Sequence, residues 1–161
     1  LEDMAPRYGL DQLDEASLHH INRVWHRLLP WPDAVAGLQR LKKKFLISTL
    51  SNGDVDMLAN MAKHGGLPWD VILCGQVFRH FKPDPEIYLG AIEMLGCKPH
   101  EVMMVAAHND DLRHAQSHGM RTGFVLRPTE YGPQQQTNLK AAGDWDVVAK
   151  DFGELATALG A

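Results

Sequence analysis

The sequence predicts an α/β protein built on a doubly wound parallel sheet with helices on both faces. Two observations carry this. Segments that are apolar almost throughout, Phe45 to Leu50, Val71 to Cys74, Val102 to Ala107 and Arg121 to Leu126, alternate with segments of helical period. Strands that lack polar alternation belong to sheets covered on both faces, and strand–helix alternation makes them parallel. The chain has 161 residues, 45% of them hydrophobic, which is enough for one core that buries roughly 70% of the unfolded surface.

The elements follow in order. From Asp11 to Leu29, residues Ala16, Leu18, Ile21, Val24, Trp25 and Leu28 recur at helical spacing with polar residues between. This predicts an amphipathic helix, stopped by Pro30 and Pro32. Asp33 is positioned to cap a helix with Ala34, Val35, Leu38 and Leu41 on its apolar face, followed by Lys42-Lys43-Lys44. Phe45 to Leu50 is the first strand. A helix after Asp54 closes at Gly65-Gly66. Val71 to Cys74 is a second strand, and Asp84 to Leu95 a helix ending at Gly96. Val102 to Ala107 forms the third strand, Asp111 to His118 a helix closed by Gly119, and Arg121 to Leu126 the fourth strand. A loop from Arg127 to Gly143 leads to a short strand at Asp146 to Val148. The last helix opens on Asp151 and Glu154, spaced as a capping box.

Composition excludes several functions. Lys and Arg number 16 against 20 Asp and Glu, a net charge of −4, with no basic stripe for nucleic acid. The apolar runs are strand-sized, so no membrane span or secretory segment is expected. Cys74 and Cys97 have neither disulfide-framework nor zinc-finger spacing, which suits a reduced, cytoplasmic protein. His114 and His118 share a helix face at i, i+4 but have no third ligand at a suggestive spacing, so no metal is assigned. The methionines at 57, 61, 103 and 104 read as core, and Trp31, Trp69 and Trp145 as loop anchors.

Ligands of a doubly wound sheet bind beyond the carboxyl ends of its strands. After the first strand stand Ser51 and Asn52, a hydroxyl and an amide before a helix N-terminus, which suit an anion or a simple turn. After the second, Lys82 sits before Pro83 and Pro85, a cation on a stiff mount or a solvated surface lysine. After the third come His108, Asn109, Asp110 and Asp111; a helix cap accounts for one of these aspartates and leaves the other. Arg127 follows the fourth strand and is a secondary candidate for holding substrate.

Ser51-Asn52, Lys82-Pro83-Asp84 and the apolar strand running into His108-Asn109-Asp110-Asp111 resemble motifs two, three and four of the haloacid dehalogenase superfamily. The stretches STLSNGD, FKPDPEIY and VAAHNDDL are most similar to its 2-haloacid dehalogenase branch, including members that accept fluoroacetate. The resemblance implies a Rossmann-like core over residues 31–161 and, in residues 1–30, the end of a helical cap domain. It implies hydrolysis of a short 2-haloacid through an aspartyl ester, with haloacid and halide as partners, no cofactor, and a homodimer. Lys82 would keep the nucleophilic carboxylate ionised, and Asp111 would pair with Lys82 and orient the hydrolytic water. Ser51 is catalytic on this reading and Asn52 binds substrate or halide; His108 donates to substrate or halide or supports the residues that do, and Asn109 binds substrate or serves the helix cap.

The superfamily's magnesium-dependent phosphatases carry an acid four residues before the one at Asp111, to hold the metal. Here that residue is Ala107, whose methyl cannot bind a cation, and this favours the dehalogenase over the phosphatase. The family's nucleophile strand, which carries Asp-x-x-Gly-Thr and lies centrally between the first and third strands named above, has no counterpart here. Leu1 is therefore expected to be internal to a longer protein, with the nucleophile upstream, and the chain alone is expected to be inactive. A non-catalytic binding or dimerisation module is the remaining alternative.

Overall fold

The computed structural model describes residues 5–161. Five short strands, β1 (Ser48–Ser51), β2 (Val71–Cys74), β3 (Met103–Ala106), β4 (Arg121–Val125) and β5 (Val147–Ala149), are paired wholly in parallel. Among the described residues seven α-helices accompany them: α1 (Glu15–Asn22), α2 (Ala34–Lys42), α3 (Val55–Gly65), α4 (Gly75–Phe78), α5 (Pro85–Met94), α6 (Asn109–Ser117) and α7 (Phe152–Ala158). The expected α/β architecture is present, as two ladders: β1–β2, and β3–β4–β5. Among the described residues no strand joins β1 to β3, the two strands between which the resemblance puts a further one.

Alternation along the strands divides the core. Phe124 and Met104 face one cluster with Ile87, Tyr88, Leu112 and Trp145, whereas Val125 and Val105 face another with Leu38, Leu41 and Leu155. Successive residues point to opposite faces of a strand, so the sheet is covered on both sides as the apolar runs required. The second cluster closes where α2 meets α7. A Cβ on Gly37 would lie 2.3 Å from the Cβ of Phe152, so only glycine allows this approach.

Several sequence expectations are corrected. The helix expected from Asp11 to Leu29 is an eight-residue α1 followed by a 3₁₀ turn, Arg23–Arg27. Its apolar residues stay largely outside: Val24, Trp25 and Leu29 are exposed. Phe45 and Leu46 are exposed and precede the strand, which begins at Ser48; within that run Ile47 enters the core. Asp33 stands at the N-terminus of α2 without capping it, because its carboxylate is turned towards Arg127 and the Phe152 N–H. Asp151 does cap α7, accepting from the Glu154 N–H at 2.7 Å, while Glu154 reaches back to the N–H of Lys150, one residue before the cap. Asp110 lies inside the first turn of α6 and pairs with Arg113. Among the described residues no helix is long and apolar enough to cross a membrane.

Candidate active site

The carboxyl ends of β1 and β3, with the segment after β2, bring three elements to one place. Beyond β2 the chain makes the single turn α4, passes Arg79 with a left-handed φ of 56°, and runs back as Phe81-Lys82-Pro83. Gly75 makes this return possible: a Cβ there would sit 2.5 Å from the Phe81 ring. The Lys82–Pro83 bond is cis. Asn52, just past β1, grips the backbone of Lys82 from both sides. Its Nδ2 donates to the Lys82 carbonyl (3.1 Å) and its Oδ1 accepts from the Lys82 N–H (2.6 Å).

Held this way, the Lys82 ammonium donates to Asp111 Oδ2 at 2.6 Å, with the two side chains 15% and 14% exposed. The other carboxylate oxygen, Oδ1, accepts from the Tyr88 hydroxyl at 2.7 Å. Tyr88 comes from α5 and is fully buried, its ring 5.9 Å from the Lys82 nitrogen. One acid, one base and one phenol thus converge from α6, the loop after β2 and α5. Burial pulls the Lys82 ammonium below the ordinary lysine range, and the charge and hydrogen bond of Asp111 only partly restore it. Burial, together with the neighbouring Asp111, pushes the Tyr88 phenol far above its ordinary value, so it stays a donor. A lysine in such a place is a fixed cation beside a carboxylate whose oxygens both have defined partners. That arrangement can hold a second anion and direct a water molecule.

Ser51 ends β1 with its Oγ accepting from the Gly53 N–H at 3.2 Å, which leaves the hydroxyl proton available. Asn52 is exposed and, with one amide proton to spare, acts in this structure mainly on Lys82. His108 is the residue before α6, one helical turn from Asp111. Its Nε2 lies 3.0 Å from both oxygens of Glu130 and 3.1 Å from the Tyr131 hydroxyl.

Two expected substrate ligands are engaged elsewhere. Asn109 is 5% exposed, and its amide nitrogen donates to Asn138 Oδ1 (3.0 Å) and the Lys140 carbonyl (3.1 Å). Its oxygen accepts from the Ala142 N–H (2.8 Å) and Trp145 Nε1 (3.0 Å). Both amide protons and both lone pairs are used in pinning the 138–145 loop, so Asn109 has no capacity for substrate. Arg127 is buried in a two-point pair with Asp33 at 3.0 and 2.8 Å, its guanidinium 4.9 Å from the Trp31 ring and 5.4 Å from that of Phe152. It fastens the segment before α2 to the core.

Tyr88, Glu130 and Tyr131 were not anticipated. Tyr88 reads in the sequence as one more apolar helix residue; its six-residue distance from Lys82 is a signal only once α5 is known to start at Pro85. Glu130 and Tyr131 lie in a loop with no period. For metals, His80, Asp84 and Glu86 bring three ligand atoms within 4.8 Å of one another at the surface. The imidazoles of His114 and His118 instead lie against the Tyr88 ring, at 6.5 and 5.5 Å.

The family described as haloacid dehalogenase-like hydrolase matches residues 1–119 of this chain. The (S)-2-haloacid dehalogenase of Xanthobacter autotrophicus is 34% identical over 119 residues, covering 71% of this chain and 46% of that protein. The (S)-2-haloacid dehalogenase 4A of Burkholderia cepacia is 31% identical over 141 residues, 83% of this chain and 61% of its own length. The chain therefore spans about half the length of these relatives. Among solved structures, an L-2-haloacid dehalogenase matches with a TM-score of 0.96 at 48% identity over 99% of this chain and 68% of its own. A defluorinating L-2-haloacid dehalogenase matches with a TM-score of 0.95 at 44% identity, over 99% and 66%.

Proposed function

The chain belongs to the haloacid dehalogenase-like hydrolases, and from that premise we propose that the whole protein hydrolyses short 2-haloacids through an aspartyl-ester intermediate. The observation that carries this is the buried Lys82–Asp111 pair, closed by Tyr88, at the carboxyl ends of β1 and β3. In the proposed reaction an aspartate upstream of Leu1 attacks C2, and the halide leaves with the bonding pair. Lys82 keeps that aspartate ionised. Asp111, its orientation fixed by Lys82 and Tyr88, accepts a proton from the water that then attacks the ester carbonyl. Ser51 donates its free hydroxyl proton to the substrate carboxylate or to the nucleophile. Asn52 holds Lys82 and directs its remaining amide proton to the departing halide.

Ala107 supports the dehalogenase over the phosphatase reading, since a methyl group stands where the phosphatases of this superfamily need a metal-binding acid. A monoanionic haloacid needs no such charge compensation. The free thiols Cys74 and Cys97 suit a reduced, cytoplasmic setting, and the family resemblance makes a homodimer the expected assembly, to be checked by light scattering. The decisive experiment incubates excess full-length protein with chloroacetate in ¹⁸O-water for a single turnover. Glycolate free of ¹⁸O, with the label left in the protein, is the expected result. Labelled glycolate in the first turnover overturns the ester intermediate, and magnesium-dependent hydrolysis of phosphate esters without halide release overturns the reaction class.

A further inference from the structure

We propose that Glu130 and Tyr131 are positioning residues that make His108 a fixed hydrogen-bond donor to the departing halide, and that they thereby set selectivity among halogens. The inference rests on the dehalogenase reading of the Lys82–Asp111 site. His108 precedes α6 and stands one turn from Asp111, so both side chains leave the same end of that helix. Two carboxylate oxygens at 3.0 Å can only accept, so Nε2 carries a proton and faces Glu130. Tyr131 adds its hydroxyl at 3.1 Å, and its ring lies 6.1 Å from the imidazole at 19°, which fixes the ring plane. Among the described residues Nδ1 has no hydrogen-bond partner. When the imidazole is protonated beside Glu130, Nδ1–H is an oriented donor with charge behind it.

The loop that supplies the pair is itself braced. The Tyr131 N–H donates to Gln135 Oε1 at 3.0 Å, and Gln135 Nε2 donates to the carbonyls of Arg127 (2.9 Å) and Thr137 (2.8 Å). Arg127 in turn is held by Asp33. The His108 ring is thus positioned through a chain of contacts that begins on a buried pair.

In the displacement step the carboxylate oxygen forms its bond to C2 as the carbon–halogen bond breaks. The halide takes the bonding pair, and His108 keeps its proton while hydrogen-bonding the leaving ion. Fluoride concentrates its charge in the smallest volume and gains most from a charge-assisted donor, so fluoroacetate should depend on this arrangement more than chloroacetate does.

The test compares wild type, Glu130→Gln and Tyr131→Phe in the full-length protein, both substitutions being at exposed loop positions. Steady-state kcat and KM on fluoroacetate and chloroacetate are measured together with the ¹⁵N signals of the His108 ring during sodium fluoride and sodium chloride titrations. The expected result is a fall in kcat on fluoroacetate of at least about tenfold in Glu130→Gln, with chloroacetate changing several-fold less. Tyr131→Phe moves the same ratio by a smaller factor. Halide shifts the Nδ1 signal in wild type and loses that effect in Glu130→Gln. An unchanged fluoride-to-chloride ratio, or a His108 ring insensitive to both halides, overturns the inference even where halide release is normal. Halide shifts that depend on Glu130 in a protein that releases no halide uphold the donor site and overturn the dehalogenase reading instead.

Discussion

Two ion pairs among the described residues are largely withdrawn from solvent, and they are built differently. Lys82–Asp111 and Arg127–Asp33 are similarly secluded, 15% and 14% exposed in the first and 9% and 22% in the second. In the second pair the contact is a two-point clamp. Two guanidinium nitrogens meet two carboxylate oxygens, the Phe152 N–H takes another lone pair, and aromatic rings lie beside the cation. In the first pair the ammonium makes one hydrogen bond to a side chain, and burial weakens its hold on its proton. Burial alone therefore does not separate the two pairs. What does is a single-point contact by an ammonium whose proton burial loosens, set at the carboxyl ends of the strands.

On the proposed function, the largest effect on turnover should come from Lys82–Asp111. Lys82→Met or Asp111→Asn in the full-length protein is expected to lower halide release by about 10²–10⁴-fold, the range for loss of a general acid–base group. Circular dichroism should show the fold retained. Arg127→Met should do the reverse. Leaving the partly exposed Asp33 without its partner is expected to cost about 1–3 kcal/mol of stability, read as a lower urea midpoint. Should Arg127→Met abolish turnover at full stability, or Lys82→Met unfold the protein, the distinction between the pairs collapses.

Tyr88→Phe sharpens the comparison, because it removes a partner of Asp111 without touching either charge of the Lys82–Asp111 pair. A hydrogen bond to a carboxylate is worth about 1.5–3 kcal/mol, so halide release should fall about ten- to a hundredfold. The ring still fills its place in the core, and the thermal midpoint should move less than in Arg127→Met. A Tyr88→Phe protein with unchanged turnover would mean that Asp111 needs only Lys82.

How far the sequence exposed these features depended on whether the responsible contact was local. Lys82 and Asp111 were legible because the sheet topology sends the segments that follow its strands to one edge, and each lies within eight residues of the end of an apolar strand. The α/β class was legible for the same reason. Arg127 and Asp33 are 94 residues apart, and no pattern joins them; Asp33 carries the local signature of a helix cap, which a distant arginine overrides. Asn109 sits two residues before Asp111 in sequence, yet its side chain turns into the loop that Trp145 anchors. Phe45 and Leu46 show the limit of reading an apolar run as a strand. Both are exposed, as are much of the apolar residues from Val24 to Leu29, whose covering surface cannot be read from their own spacing.

The smallest expected effect concerns acid. Burial pushes the Asp33 carboxyl up, but the Arg127 hydrogen bonds, the Phe152 N–H and the Arg127 charge outweigh it, so Asp33 titrates below its ordinary value. Asp146 is also held down, first by the Thr122 N–H. A carboxylate depressed in the folded state contributes stability that is complete above its unfolded value, near pH 4. That contribution is lost as pH falls through the lower folded value. Urea midpoints should therefore be flat from neutrality down to the ordinary carboxylate range and then decline. In Asp33→Asn the decline should be shallower, with a lower starting stability, because the titrating group is gone while Arg127 has lost its counter-charge. An equally steep decline in that variant would assign the acid sensitivity to Asp146 and other carboxylates, and would leave Arg127–Asp33 as a pair whose worth lies in packing rather than in charge.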